Sequence, residues 1–151
     1  MCRLILHRLG SDMEYKLGKR SRQRMVGLHP DIAFAVERAI SISNVDFGVL
    51  DGVRSMDRQR HLVSQGKSKT YNSYHLYGLA VDLVPFINGR YRWDDEGAFA
   101  LIEEAMKEVI AEYALPIEWG YDKWGWDMPH WQMTGYRNRY DIRKIDPRRF
   151  K

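Results

Sequence analysis

The stretch Ser73-Tyr74-His75-Leu76-Tyr77-Gly78-Leu79-Ala80-Val81-Asp82, answered by Asp127-Met128-Pro129-His130-Trp131-Gln132, is the part of the chain around which the rest is organised. Together the two stretches bring two imidazoles, two carboxylates and a serine hydroxyl into otherwise largely apolar surroundings. His75, Asp82 and His130 make an N, O, N donor set of the kind a catalytic zinc uses, with a fourth tetrahedral position left open for water. Asp127, just upstream of His130, is close enough to take a proton from that water. A straight strand would put His75 and Asp82 on opposite faces, and Gly78 is the residue that lets the chain turn between them. Asp82 then lies in Leu79–Val84, a short apolar run that reads as a buried strand. Pro129 fixes the backbone just before His130. Histidines are more often core or surface groups than ligands, so spacing alone leaves both readings of His75 and His130 open. His7, His29 and His61 have no carboxylate placed to complete a site and are read as ordinary.

Outward from these stretches, composition narrows the class. A chain of 151 residues is the length of one domain, large enough to bury a core without disulfides or metals as staples. The net charge of +4 gives a mildly basic surface, attractive to nucleic acid, anionic lipid or an anionic wall polymer without choosing among them. The single cysteine, Cys2, excludes an internal disulfide and fits a reducing compartment. Arg3, His7 and Arg8 interrupt Met1–Leu9, so no signal-peptide core is present there, and no run approaches the length of a membrane span.

The remaining elements follow from periodicity and punctuation. Ser21 is placed to cap a first helical turn, and Ile32, Ala35, Val36, Ala39 and Ile40 form a core-facing helical stripe over Asp31–Ile42. Val45–Leu50 reads as a strand ended by Asp51-Gly52, and Ser55 as the cap of a short helix that stops at Gly66. Pro85 and Asn88-Gly89 signal a turn, with a hairpin into Tyr91–Trp93. Asp94 and Asp95 open the longest helix, whose buried face is expected to be Phe99, Ile102, Ala105, Met106, Val109, Ile110 and Tyr113. Ile117–Trp119 reads as a strand, Gly120–Trp126 as an aromatic loop, and Pro129–Met133 as the last strand. The fold class is therefore α+β: a small, mostly antiparallel sheet carrying the site, packed against helices.

Ser73-x-His75-x-x-Gly78-x-Ala80-x-Asp82 followed by Asp127-x-Pro129-His130 resembles the signature of the zinc D-alanyl-D-alanine peptidase superfamily. Within it, the L-alanyl-D-glutamate endopeptidase branch, which includes bacteriophage endolysins, matches best. The similarity runs from about Ser21 to Gln132. It takes in Val26–Ile32, Phe47–Ser55, Gln59, Gly66–Thr70 and Glu118-Trp119-Gly120. Tyr121 departs from the pattern, standing where relatives commonly have a second glycine, and Lys123 precedes Trp124. The resemblance implies a hedgehog/DD-peptidase-like domain over 13–151, with Met1–Asp12 an upstream extension outside the fold.

It also implies one Zn2+ per chain on His75, Asp82 and His130, with Asp127 as general base and then acid. Arg54 matches the arginine used for substrate or transition-state binding, against the alternative of a salt bridge to Asp51 or Asp57. Ser73 either hydrogen-bonds the substrate or shapes the turn before His75. Trp124 and Trp126 are candidate cleft residues. The activity implied is hydrolysis of the L-Ala–D-Glu bond of bacterial peptidoglycan by a monomer that is not membrane-embedded and does not act on nucleic acid. It would act from the host cytoplasm, reaching the wall with the help of a separate holin-type protein. The alternatives are a D-Ala-D-Ala carboxypeptidase or dipeptidase, and a non-catalytic zinc-containing wall-binding module that would need no Asp127. Residues 135–151, rich in Arg and Lys, read as a solvated closing segment.

Overall fold

Asp31–Ile42 does form a helix, with Pro30 in its first turn and the His29 ring as its cap, Nδ1 accepting from the Asp31 N–H at 3.1 Å. In this computed structural model, which describes residues 14–136, the elements run as follows. They are α1 (Lys19–Arg24), α2 (Pro30–Ile42), β1 (Phe47–Asp51), α3 (Met56–Ser64), a 3-10 turn (Tyr74–Tyr77), β2 (Ala80–Ile87), β3 (Arg90–Tyr91), α4 (Glu96–Tyr113), β4 (Ile117–Trp119), α5 (Gly120–Trp124) and β5 (His130–Met133). The expected extension Met1–Asp12, with Cys2 and His7, and nearly all of the basic 135–151 segment lie outside the described residues.

Every strand pairing is antiparallel. The order is β1-β2-β5-β4, with β3 joined to β2 through the Asn88-Gly89 hairpin. Asn88 and Gly89 both have positive φ, 53° and 77°, as a two-residue hairpin turn requires. Because side chains alternate across a strand, register divides the sheet into two chemistries. Val81 opposes Trp131, which opposes Trp119; Val49 opposes Leu83; and Ile117 opposes Met133. These residues are buried on the face that shares the core with the stripes of α2 and α4, the two helices packing against each other. On the other face Asp82 opposes His130, and Gln132 opposes both Ala80 and Glu118. Strand β5 thus buries Trp131 on one side and presents His130, opposite Asp82, on the other.

Several local expectations are corrected. Ser21 is not a helix cap: it lies inside α1, buried, and its Oγ accepts the Val49 N–H at 2.9 Å, pinning α1 to β1. Pro85 does not begin the turn but continues β2, opposite Phe47. There the β5 ladder has already ended at Asp82, and the Pro85 carbonyl accepts from the Arg92 N–H at 2.8 Å. Ile110 is only half-buried and Tyr113 is exposed, its ring edge-on to Phe34 at 4.7 Å, so the buried stripe of α4 ends with Val109. The aromatic stretch 120–124 is helix α5 rather than loop. It is held by Lys107 of α4, whose Nζ lies 2.8 Å from Asp122 and 5.2 Å from the Trp119 ring centroid.

Gly52, just after β1, is required for close approach rather than for a turn. A Cβ there would lie 1.9 Å from the Arg24 carbonyl oxygen, a backbone atom that cannot swing aside. Gly52→Ala is therefore expected to cost ~3 kcal/mol or more, the upper range for overpacking a tight site. Urea unfolding checks this, and a variant within ~0.5 kcal/mol of the parent, the range of an ordinary surface change, would show that the contact is not tight.

Candidate metal centre

The three predicted ligands converge. Asp82 and His130 face each other across the β2–β5 ladder, while His75 arrives from the 3-10 turn. That turn starts at Ser73, whose Oγ accepts the His75 N–H at 3.2 Å, and ends at Gly78 in the left-handed region at φ 70°. The reversal at Gly78 folds His75 back over the site face of β2, as its permissive backbone suggested. His75 Nε2 and His130 Nδ1 each lie 3.3 Å from the same Asp82 oxygen, Oδ1. The three donor atoms fit within 4.8 Å of one another, the one such cluster of three or more metal-ligating side chains among the described residues.

The donor chemistry of this cluster fits a cation. His75 Nδ1 lies 2.9 Å from the Gly52 carbonyl, which only accepts, so Nδ1 carries the proton and Nε2 presents a lone pair. That Nε2 is buried and has no hydrogen-bond partner. A lone pair stranded beside a carboxylate oxygen, away from water, is unfavourable unless something electropositive lies between them. A divalent ion bound by two imidazoles and one carboxylate answers that need. Burial would push the Asp82 carboxyl up, but His75 and His130 outweigh it and hold it well below the ordinary carboxylate range. The opposite balance raises His130 above an ordinary imidazole: burial lowers it, and the hydrogen bond and charge of Asp82 more than compensate.

Asp127 is coupled electrostatically to His130, Asp82, His75 and Arg54, which places its charge in the same small volume. Burial, the largest influence, raises its carboxyl above the ordinary value. Gly120 makes room for this loop, because a Cβ there would meet the Asp127 carbonyl at 2.9 Å and the His130 Cβ at 3.0 Å. Trp124 stands over His130 with ring centroids 5.4 Å apart, and Trp126 lies 6.3 Å from Trp124; both indoles are exposed. Tyr121 lies tilted against Trp119 at 5.1 Å, whereas the His130 ring is met by His75 and Trp124.

Arg54 belongs to the site through its carboxylates. Its Nε donates to Asp51 at 2.6 Å, one terminal nitrogen to Asp82 at 3.2 Å and the other to Gln59 at 3.2 Å. Asp57 pairs instead with Arg60 at 3.1 Å. Asp51 reaches this position because the β1–β2 register shifts between Val49 and Asp51, bringing Asp51 opposite Asp82. Ser73 Oγ accepts from the His75 backbone, as the turn-shaping reading of that residue expects, and its own O–H is not used in that bond.

Sequence reasoning gave Gly52, Gln59, Glu118 and Gln132 no part in the site's hydrogen bonding. Gln59 is fully buried and ties Arg54 to the 68–70 loop through Ser68 Oγ at 2.9 Å and the Thr70 carbonyl at 2.7 Å. The signal for Gln132 was present: two residues after His130 on a strand, it must share the face of His130.

The same chain resembles known proteins. A model of the phage L-alanyl-D-glutamate peptidase family matches residues 13–143. The L-alanyl-D-glutamate peptidase of Escherichia phage T5 is 28% identical over 113 residues, covering 73% of this chain and 82% of that relative. The peptidoglycan L-alanyl-D-glutamate endopeptidase CwlK of Bacillus subtilis (strain 168) is 33% identical over 110 residues, covering 63% of this chain and 66% of that one. Among solved structures, the L-Ala D-Glu endopeptidase ChiX of Serratia marcescens is similar at a TM-score of 0.72 and 37% identity, covering 82% of this chain and 94% of that chain.

If the convergent lone pairs hold a divalent ion, that ion binds the folded state and stabilises it. At a free concentration 100 times Kd the gain is ~2.7 kcal/mol. Stringent chelation should therefore lower the thermal midpoint, and re-addition should restore it. Identical midpoints with and without chelator, in protein shown to take up no metal, would mean that these side chains hold none.

Proposed function

Since the chain belongs to the phage L-alanyl-D-glutamate peptidase family, it is a peptidoglycan peptidase of the endolysin type, and we propose that one zinc ion per chain, held by His75, Asp82 and His130, is its cofactor. The observation that carries this reading is the buried, unpartnered Nε2 of His75 beside Asp82. Bound by His75, Asp82 and His130, zinc would supply Lewis acidity toward the scissile carbonyl and the attacking water.

The chain's own groups supply the rest. Asp127 takes the proton of the attacking water on a carboxylate oxygen and passes it to the leaving amine. Burial raises its affinity for that proton, which suits a group that must both accept and release it. Arg54 holds Asp82 in place while balancing its charge with Asp51, so its first effect is on the ligand and only secondarily on the substrate. The exposed indoles of Trp124 and Trp126 form a flat apolar wall beside His130 for an extended peptide, and Ser73 sets the turn that delivers His75. The residue after the scissile bond, D-Glu, carries a free α-carboxylate. Arg54 has each of its nitrogens engaged, so the exposed Lys67 and Lys69, on the loop that Gln59 ties to Arg54, are the freer cations for it.

The bond assigned is L-Ala–D-Glu. Peptidoglycan lies outside the cytoplasmic membrane, and no helix among the described residues is long and apolar enough to cross one. We propose that the enzyme is made in the host cytoplasm and reaches its substrate once a separate holin-type protein opens the membrane. We read the acting form as a monomer.

Digestion of purified peptidoglycan, followed by labelling of free amino groups, is expected to show new D-Glu amino termini. Release of D-Ala without them would move the activity to a carboxypeptidase. Asp127→Asn should retain zinc but lose turnover by ~10²–10⁴-fold, the usual share of general acid–base catalysis. Near-normal hydrolysis by the zinc-loaded variant would remove Asp127 from the mechanism.

A further inference from the structure

Beyond the ligands, the site face of the sheet carries a polar chain that runs away from the metal centre. His130 Nε2 lies 2.9 Å from Gln132 Oε1, Gln132 Nε2 donates to Glu118 Oε1 at 2.8 Å, and Lys123 Nζ lies 3.2 Å from that same oxygen. Gln132 is buried, next to His130 along β5 and opposite Glu118 in β4. Ala80, the smallest side chain of β2, faces it from the other side. Nothing in the mechanism above uses these groups.

We infer that Glu118 and Gln132 are positioning residues that set which nitrogen of the His130 ring is free to bind the metal. The argument rests on which atoms are able to donate. An ionised carboxylate only accepts, so Glu118 requires the NH2 end of the Gln132 amide to face it. That orientation turns the amide oxygen toward His130. The oxygen only accepts, so Nε2 of His130 carries a proton. Nδ1, 3.3 Å from Asp82 Oδ1, is then the nitrogen left for the metal, which takes the place of any proton shared there with Asp82. His75 has the mirror-image arrangement: its Nδ1–H is taken by the Gly52 carbonyl and its Nε2 is free. One ligand is therefore oriented by a backbone carbonyl, the other by a carboxylate acting through an amide.

The consequence is specific to Glu118, a side chain that does not contact the ligands. Without it, the Gln132 amide is free to turn over and present its NH2 to His130 Nε2. That arrangement favours the proton on Nδ1, where it occupies the position a metal needs. Outer-shell partners of metal-bound histidines typically contribute 10–100-fold to metal affinity. An ordinary surface ion pair between Glu118 and Lys123 would contribute nothing to it.

The inference rests on the assignment of His130 as a ligand, and the test separates the two. Zinc affinity is measured by competition with a chelating dye, with no substrate present, in the full chain and in variants whose folding is checked by circular dichroism. Glu118→Leu and Gln132→Leu are each expected to weaken zinc binding ~10–100-fold. The double exchange Gln132→Glu with Glu118→Gln keeps an acceptor toward His130 and a donor behind it, and should restore affinity. In the unaltered protein loaded with zinc, long-range 1H–15N correlation should find the His130 proton on Nε2 and Nδ1 bound to the metal. This readout needs no variant to fold. A proton on Nδ1, or parental zinc affinity in Glu118→Leu while His130→Ala loses it, would overturn the relay alone. Unchanged affinity in His130→Ala would overturn the ligand assignment and the relay with it.

Discussion

Two imidazoles and a carboxylate directed at one another in a largely buried site are the constraint on which the rest of this molecule depends. Like-signed acceptors crowd together in a buried site only if a cation completes them or protons intervene. The protein holds this arrangement with fixed groups. The Gly52 carbonyl orients His75, Arg54 spans Asp51 and Asp82, and the backbone of Arg54 donates to the His75 carbonyl at 3.0 Å. Each of these contacts orients a ligand already in place; none makes up for a missing one.

The sheet makes the arrangement affordable by keeping its two faces chemically separate. The buried Trp119–Trp131 stack, with centroids 5.6 Å apart, anchors β4 and β5 on the core side. The same two strands then present Glu118, His130 and Gln132 on the other face in a register that one-residue slippage would invert. Close contacts complete the frame: Gly52 presses on the Arg24 backbone and Gly120 on the backbone of Asp127 and His130, so both sides of the site are fixed by backbone rather than by mobile side chains. Helix α5, tied to α4 through Lys107 and Asp122, carries Trp124 to the ring of His130.

What was legible in the sequence is what local patterns encode. His75, Gly78 and Asp82 sit close together with one glycine between them, and Asp127 and His130 within one short stretch, so chemistry and turn were both visible. The stripes of α2 and most of α4, the Asn88-Gly89 hairpin and the Ser55 cap were visible for the same reason. What was hidden depends on pairing between distant segments. No periodicity announces the register shift that brings Asp51 to Asp82, so the partners of Arg54 were open between Asp51, Asp57 and the substrate. Helix α5 is only a turn and a half long and is held by Lys107, a residue of another helix, so 120–126 read as a loop. Ser21 looked like a cap because serine commonly is one; its hydroxyl serves Val49 instead.

Zinc K-edge absorption spectroscopy of the loaded protein tests the central claim most directly, because it reads the atoms around the ion without reference to activity. The account predicts two imidazole nitrogens at ~2.0–2.1 Å and oxygen at ~2.0–2.2 Å, with four neighbours in all and no sulfur. A sulfur shell at ~2.3 Å, or a shell of oxygens without imidazole scattering, would place the ion elsewhere and contradict the assignment of His75, Asp82 and His130.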